Sequence, residues 1–549
     1  MKQRIRPFAL FTIAALCLMA GAVFWALKPA ESTVTAYPNP FDSPQLFMEG
    51  LYAADHKITP PTAHRIRAVV VPHHLVASEA IASGIRMLRG HTFSKILLLS
   101  PDHFHACPTL LCTTNGRFKT LFGEVTSSQA DLQKLLVSPL VENTPDLFKK
   151  EHGITAILPF IRHDFPEATI IPVALSTDQP WKKNRNELLS TLDRLMDDQT
   201  VLVVSSDFSH YLPLKTADEM DEKTAETILS KDLDGISNLK NPDQSDCPGC
   251  LWLLGSLADR GGFYNPSVLL HTNSARLLGD EKNPSTTSHF AMAWYANDIL
   301  GSDDLALGGD VTLTRPSVST TLPKTISDWW AGSGLRILNL EGPLAKTCPA
   351  RANPWLFCNP LDLWEKVKDL ATHWGTQNNH MLDNGTPGLP ETARLIRASG
   401  KIPLTTTLWE NETTLLLATT EIINPVSDAG NANLSKTKTS LLQTLQNDKT
   451  DKLKVVYLHK GEEYQALTSP DTEARYEQWI DAGADAVVVT HSHVPGDLTF
   501  YKDKPILRGL GNFIFDQTDS IATQTTKMVR LRKSGGSIQF ETLIQPTRL

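Results

Sequence analysis

Residues 484–496 read ADAVVVTHSHVPG, and this stretch restricts the fold more than any other in the chain. Ala486 to Val489 is an apolar, β-branched run of the kind that forms a strand buried on both faces. His491 and His493 follow, one residue apart. Side chains alternate along an extended segment, so the two imidazoles are expected side by side at the strand's C-terminal end. That edge is where ligands bind in open α/β sheets. The expectation is a fold whose strands deliver polar side chains to one shared edge.

Other strand-like runs end the same way. In the first half, Arg67 to Val71 leads into Pro72-His73-His74, Lys95 to Leu99 into SPDHFH with His103 and His105, and Thr200 to Val204 into SSDFSHY with Asp207 and His210. Ala168 to Leu175 is a further strand, and His289 to Leu300 reads as the last helical stretch. Strands alternating with helical stretches predict a mostly parallel sheet with helices on its faces. In the second half, Leu305 to Leu307 leads to Gly308-Gly309-Asp310, and Arg336 to Leu338 to Asn339-Leu340-Glu341-Gly342-Pro343. A helical stretch around Leu361 to His373 precedes Asn378-Asn379-His380, and Leu389 to Ser399 reads as a helix stopped by Gly400. Lys454 to Leu458 ends in His459, and Ile506 to Leu510 leads to Gly511-Asn512-Phe513.

A chain of 549 residues is too long for one hydrophobic core. Two α/β domains are expected, residues 61–300 and 301–549, with the boundary near Asn297 to Asp304. Ahead of them, Pro7 to Leu27 carries no charge and would span roughly 30 Å as a helix, about one bilayer core. Lys2, Arg4 and Arg6 precede it, so residues 1–28 are read as a cytoplasmic tip and an uncleaved transmembrane anchor with the bulk of the chain outside. A cleaved signal peptide is the competing reading, but no clean A-x-A site follows. Residues 29–60, rich in Pro, Ser and Thr, read as a linker. The formal net charge of −8 and the lack of a basic stripe argue against a nucleic-acid partner. Six of the seven cysteines fall into local pairs, 107 with 112, 247 with 250 and 348 with 358, which suits disulfides in an oxidising compartment. A zinc site on Cys247 and Cys250 lacks a second Cys-x-x-Cys to complete four thiolates.

In the first half, Pro72-His73, SPDH, Glu151-His152, LPF at Leu158 to Phe160, SSDFSHY and the cysteine at 247 together resemble the Memo family. That family is also described as component B of the AmmeMemoRadiSam system and shares a fold with LigB-type extradiol dioxygenases. The resemblance implies His73, His103 and Cys247 at a metal or active-site pocket, with Asp207 and His210 beside them as candidate catalytic residues. Imidazoles and a thiolate suit copper or iron. The sequence departs from the pattern at His74-Leu75-Val76, where a glycine-rich tail is usual, and at DCPGC, where a Cys247–Cys250 disulfide would withdraw the thiolate.

The strand and loop ends of the second half offer a mixed set of carboxylates, an amide oxygen and three imidazoles. That set suits two divalent ions such as Mn, Fe or Zn better than Ca or Mg. Such a pair clamps a phosphoryl or acyl group and lowers the pKa of a water. The run GD, NLEGP, NNHMLDNG, HKGEEY, HSHV and GNFIFDQ, over about 305 to 517, resembles the CapA family linked to capsule and poly-γ-glutamate synthesis, itself similar to calcineurin-type metallophosphatases. The resemblance implies Asp310, Glu341, Asn379, His459, His491 and His493 as metal ligands, with Glu341 bridging and His380 as the acid partner. Lys460 stands where that family usually has tryptophan, and Val489 where it has glycine. The expected function is a membrane-anchored, extracytoplasmic, metal-dependent hydrolase or transferase acting on a cell-envelope polymer or its phosphorylated precursor. The rival is a non-catalytic envelope protein that binds or tethers anionic polymer.

Overall fold

A strand buried on both faces needs cover on both sides, and each half of the chain supplies it. The computed structural model describes residues 35–547 except 42, 62, 299, 301–303, 316–318, 349–354, 386, 406–407 and 423–427, with backbone alone over 428–437. The first half centres on an eight-stranded sheet. Its spatial order is Pro266–Asn273, Ser288–Tyr295, Ile66–Val71, Thr200–Ser205, Lys95–Pro101, Thr169–Leu175, Leu111–Thr113, Val141–Asn143. The four strands from Ile66–Val71 to Thr169–Leu175 are mutually parallel. Alternation divides their side chains: Val69 and Val71 pack toward Ser78–Arg86 and Leu158–Asp164, while Ala68 and Val70 join a core roofed by Arg185–Asp193 and Pro248–Arg260.

The second half stacks two mixed sheets. One runs Ile402–Leu404, His373–Gly375, Leu335–Leu340, Leu305–Val311, Thr525–Ser534, Ser537–Pro546, with Asn512–Ile514 also paired to Leu305–Val311. The other runs Trp409–Glu410, Thr414–Thr420, Leu453–His459, Ala486–Thr490, Lys504–Leu507, Leu498–Tyr501. Period-two alternation again explains the layers. Val455, Tyr457, Ala486 and Val488 lie in the core between the sheets, and Val456, Leu458, Val487 and Val489 face Pro470–Asp481 with Tyr476 and Trp479. Each fully buried aliphatic contributes about 1.5–3 kcal/mol of transfer free energy. Across the sheets, Tyr457 donates its hydroxyl to the Gly308 carbonyl at 2.6 Å. Gly309 is required beside it, because a Cβ there would run into the Gly511 carbonyl oxygen.

The halves touch. His64 stacks on Phe500 with ring centroids 4.2 Å apart, and Tyr295 meets the same ring at 4.7 Å. Asp497 accepts from the Val268 amide at 2.8 Å, and Asn297 and Asp298 accept from the amides of Thr542 and Phe540 at 3.0 and 2.9 Å.

Several expectations are corrected. Residues 288–295 are a fully buried strand rather than the start of a helix. The run SHFAMAWY has no helical stripe, and its place between Pro266–Asn273 and Ile66–Val71 decides its state. The helix beginning at Leu361 ends at Val367, and His373 opens a strand. Within the stretch read as a linker, Gln45–Lys57 forms a helix that buries Phe47 and Leu51. The anchor expected at Pro7 to Leu27 lies outside the described residues. Among the described residues no helix is long and apolar enough to cross a membrane. All three expected cysteine pairs are closed as disulfides.

Candidate functional site

In the second half, strand ends from both sheets converge. Asp310 lies near the end of Leu305–Val311 and Glu341 directly after Leu335–Leu340. His459 ends Leu453–His459, and His491 and His493 follow Ala486–Thr490. His459 Nε2 is 3.5 Å from Glu341 Oε1 and 2.9 Å from Asn379 Oδ1, and its Nδ1 is 3.9 Å from Asp310 Oδ1. His493 Nδ1 is 3.7 Å from Asp310 Oδ2. The structure thus brings together all six residues singled out as ligands.

The histidine pair gets there by a different route from the one its spacing suggests. The strand stops at Thr490, and His491 and His493 sit at φ 98° and 60°. Positive φ in non-glycine residues costs on the order of 1–3 kcal/mol each and persists where surrounding contacts fix it. Here the His491 amide donates to Asp310 Oδ2 at 2.9 Å, and His493 Nδ1 is paired with Asn512 Oδ1 at 3.0 Å. The two rings lie with centroids 6.0 Å apart, on a turn rather than along an extended strand.

The electrostatics call for a cation. Glu341 is fully buried, and among the described residues neither of its oxygens has a hydrogen-bond donor. Burial, then the charges of Asp310 and Glu463, raise its pKa well above the usual carboxylate value. Burial pushes Asp310 up to about 7, partly offset by donors from Asn339 and the His491 amide. Burial and mutual repulsion hold His459 well below its usual value, and burial followed by His493 brings His491 down to about 3. Burial lowers His493 to about 4. Neutral imidazoles facing unneutralised carboxylates are what a divalent ion needs and what a metal-free interior disfavours. Glu341–His459–His491 and Glu463–His491–His493 each hold their ligand atoms within 4.8 Å of one another, sharing His491. The donor set therefore fits divalent metal, which would supply Lewis-acid activation of water and of a phosphoryl or acyl group.

His380 stands at the rim. Its Nδ1 pairs with Asp383 Oδ2 at 2.9 Å, and its ring stacks on Phe357 at 4.0 Å. It is an electrostatic neighbour of Asp310, His459, His491 and His493. Sequence reasoning missed the supporting residues. Asn339 donates to Asp310 Oδ1 at 2.8 Å, Thr490 Oγ1 pairs with His459 Nδ1 at 3.0 Å, and Glu463 reaches to 3.9 Å of His491 Nε2. Asn339, Asp383, Glu463 and Asn512 all lie inside the quoted motifs, so their positions were visible although their partners were not.

The first half has its own cluster. His73, His103, Asp207 and His210 line one cleft of about 570 Å³ at the C-terminal ends of adjacent parallel strands. His152, which carries part of the Memo resemblance with no site role attached, and Asp246, beside the cysteine at 247, line it too, and His289 Nδ1 pairs with Asp207 Oδ1 at 2.9 Å. Burial opposes a charge on His103, but Asp246 and Glu151 outweigh it and raise its pKa to about 10. Burial and the charges of His103 and His73 lower His152 to about 4. Cys247 does not take the expected place: it is bonded to Cys250 and offers no thiolate.

Both halves are thus α/β units that present carboxylates and imidazoles at strand ends in groups able to hold a metal. Residues 304–517 match the family described as bacterial capsule synthesis protein PGA_cap, and residues 33–251 match the family described as Memo-like protein. The chain is a fusion of a Memo-like region and a PGA_cap region. The MEMO1 family protein of Caldivirga maquilingensis is 26% identical over 251 residues, which cover 42% of this chain and 86% of that protein. Capsule biosynthesis protein CapA of Bacillus anthracis is 31% identical over 160 residues, which cover 26% of this chain and 39% of that protein. Among solved structures, an uncharacterised Escherichia coli K12 protein aligns at TM-score 0.28 and 15% identity, covering 42% of this chain and 99% of its own. At that score the likeness carries no weight.

Proposed function

We propose that the PGA_cap region is a metal-dependent hydrolase or transferase that acts on a capsule or other cell-envelope polymer, or on its phosphorylated precursor. Two divalent ions, Mn, Fe or Zn, would be held by Asp310, Glu341, Asn379, His459, His491 and His493. His380, oriented by Asp383, would donate the proton to the leaving group. The observation that carries the reading is Glu341, a buried carboxyl group that has no hydrogen-bond donor among the described residues and lies beside neutral imidazoles. The capsule assignment is supported by the PGA_cap match and by the name of the Bacillus anthracis relative. Tethering through Pro7 to Leu27, with the remainder outside the cytoplasmic membrane, belongs to the same proposal.

The test is elemental analysis of the full chain, purified without chelator and supplied with Mn, Fe or Zn, alongside hydrolysis of a generic phosphoester. Metal at these residues and turnover are expected together; His491→Ala and His493→Ala proteins that keep their circular dichroism should lose turnover and the share of metal held by this cluster, whatever the first cleft retains. A wild-type chain that holds no metal at these residues refutes the hydrolase reading and leaves polymer binding in its place.

A further inference from the structure

The cleft of the Memo-like region has a feature that its family resemblance does not supply. His73 Nδ1 is paired with Ser205 Oγ at 3.0 Å, and His103 Nδ1 with Glu151 Oε1 at 2.6 Å, while Glu151 Oε2 accepts the His103 amide at 3.0 Å. Fixing one nitrogen of each ring in this way is how metal-binding histidines are oriented. The free nitrogens then face one carboxylate oxygen: Asp246 Oδ2 is 3.3 Å from His73 Nε2 and 3.6 Å from His103 Nε2. His103 Nε2 is buried and has no hydrogen-bond partner among the described residues.

Asp246 is itself held in place. The Ser206 hydroxyl donates to its Oδ1 at 2.8 Å, and the Asp207 amide donates to its Oδ2 at 3.2 Å. Asp207 Oδ2 is also 3.3 Å from His73 Nε2, and its other oxygen pairs with His289, but of the two carboxylates Asp246 is the one within 4 Å of both rings. Cys247, one residue further on, is bonded to Cys250 at the start of the helix Pro248–Arg260 and is not among the residues lining the cleft.

We infer that His73, His103 and Asp246 form a site for one divalent ion, with Asp246 replacing the thiolate that the family resemblance assigns to Cys247. Two imidazoles and one carboxylate on one side of an ion, with open positions toward the cleft, select ferrous iron over the copper favoured by thiolate. The positions facing His152, His210 and Tyr211 are left for water or a small ligand. This site is independent of the one proposed for the PGA_cap region.

The experiment uses Co(II) as the probe on the full chain carrying His491→Ala and His493→Ala, which removes the other histidine cluster from the count. The expected result is one Co(II) per chain, with weak ligand-field bands and no thiolate charge-transfer band in the near ultraviolet. Asp246→Asn should weaken binding by about 100-fold or more, whereas Cys247→Ser combined with Cys250→Ser should leave it unchanged. If Asp246→Asn does not fold, His103→Ala and the ligand-field spectrum of the unsubstituted site decide instead. A thiolate band, loss of Co(II) in the cysteine variant, or no Co(II) bound at all would each overturn the inference.

Discussion

Glu341→Gln should stabilise the protein in chelator and destabilise it in metal. The carboxyl group is fully buried, its oxygens have no hydrogen-bond donor among the described residues, and its pKa is raised by burial and by Asp310. An uncompensated buried ion costs several kcal/mol, whereas a neutral amide short of partners costs about 1–3 kcal/mol. Glutamine should therefore gain on the order of 2 kcal/mol over glutamate when no metal is present, about 30-fold in local opening. The sign of the pH dependence follows from the raised value. A carboxyl whose folded pKa lies above its unfolded one contributes fully below the unfolded value and loses that contribution as pH rises through the folded one. The advantage of glutamine is thus largest near pH 8, falls as pH falls, and is gone only well below pH 4.5, the ordinary glutamate value, where glutamate is protonated in both states. Taking the difference between variants removes the opposing effect of His459, His491 and His493, which favour the folded state as pH rises.

Metal inverts the order. At a hundredfold excess over Kd an ion adds about 2.7 kcal/mol to the form that binds it, and glutamine removes the charge that attracts it. Hydrogen exchange of residues 335–340 and 453–459, followed by mass spectrometry at pH 5 and 8 with chelator or Mn(II), reads both effects. The reasoning fails if Glu341→Gln is less protected than wild type in chelator at pH 8, or if both proteins gain equally from Mn(II).

His380→Ala should keep the metal content of wild type and lower turnover by about 10²- to 10⁴-fold, as for a lost general acid; loss of metal would make it a ligand instead. Reporter fusions at the C-terminus should be active only when exported, and cytoplasmic activity would refute the anchor at Pro7 to Leu27. Glu222→Ala should increase exchange and protease cleavage over residues 460–469 while leaving the N-terminal sheet protected, and unchanged protection there would show that Glu222 does not hold this segment.

The strand ends were legible because a buried parallel strand leaves a local mark: an apolar run followed at once by a polar residue that cannot be part of the core. His459 directly follows such a run, and Asp310, Glu341 and His491 come within three residues of one, with His493 two residues further on; their roles as ligands rest on the resemblance to the CapA family. What stayed hidden depends on partners distant in sequence. Asn512 orients His493 through a pairing set by the contact of Asn512–Ile514 with Leu305–Val311. Asp246 was overshadowed by the cysteine beside it, since only the closed Cys247–Cys250 disulfide shows which of the two residues faces the cleft. The turn at His491 is not visible in the spacing, because period-two alternation holds only to Thr490 and the pair reaches three residues beyond the strand. The strand Ser288–Tyr295 was misread because a run buried on both faces has no period of its own.

The fusion has a physical consequence at the second site. Glu222, on the helix Leu214–Leu229 that follows SSDFSHY, accepts the backbone amides of Ala466 and Leu467, and Ala466 packs into the core of the Memo-like region. The same short segment carries Glu463, 3.9 Å from His491, and Tyr464, whose ring lies 5.7 Å from that of His493. Loops are usually the least stable parts of a structure, and this one has each end fixed by a different half of the chain: His459 by its strand, Ala466 by the neighbouring core. The rim of the PGA_cap site is therefore shaped partly by residues outside that region. This gives the two regions a structural reason to share one chain, whatever chemistry the first cleft performs.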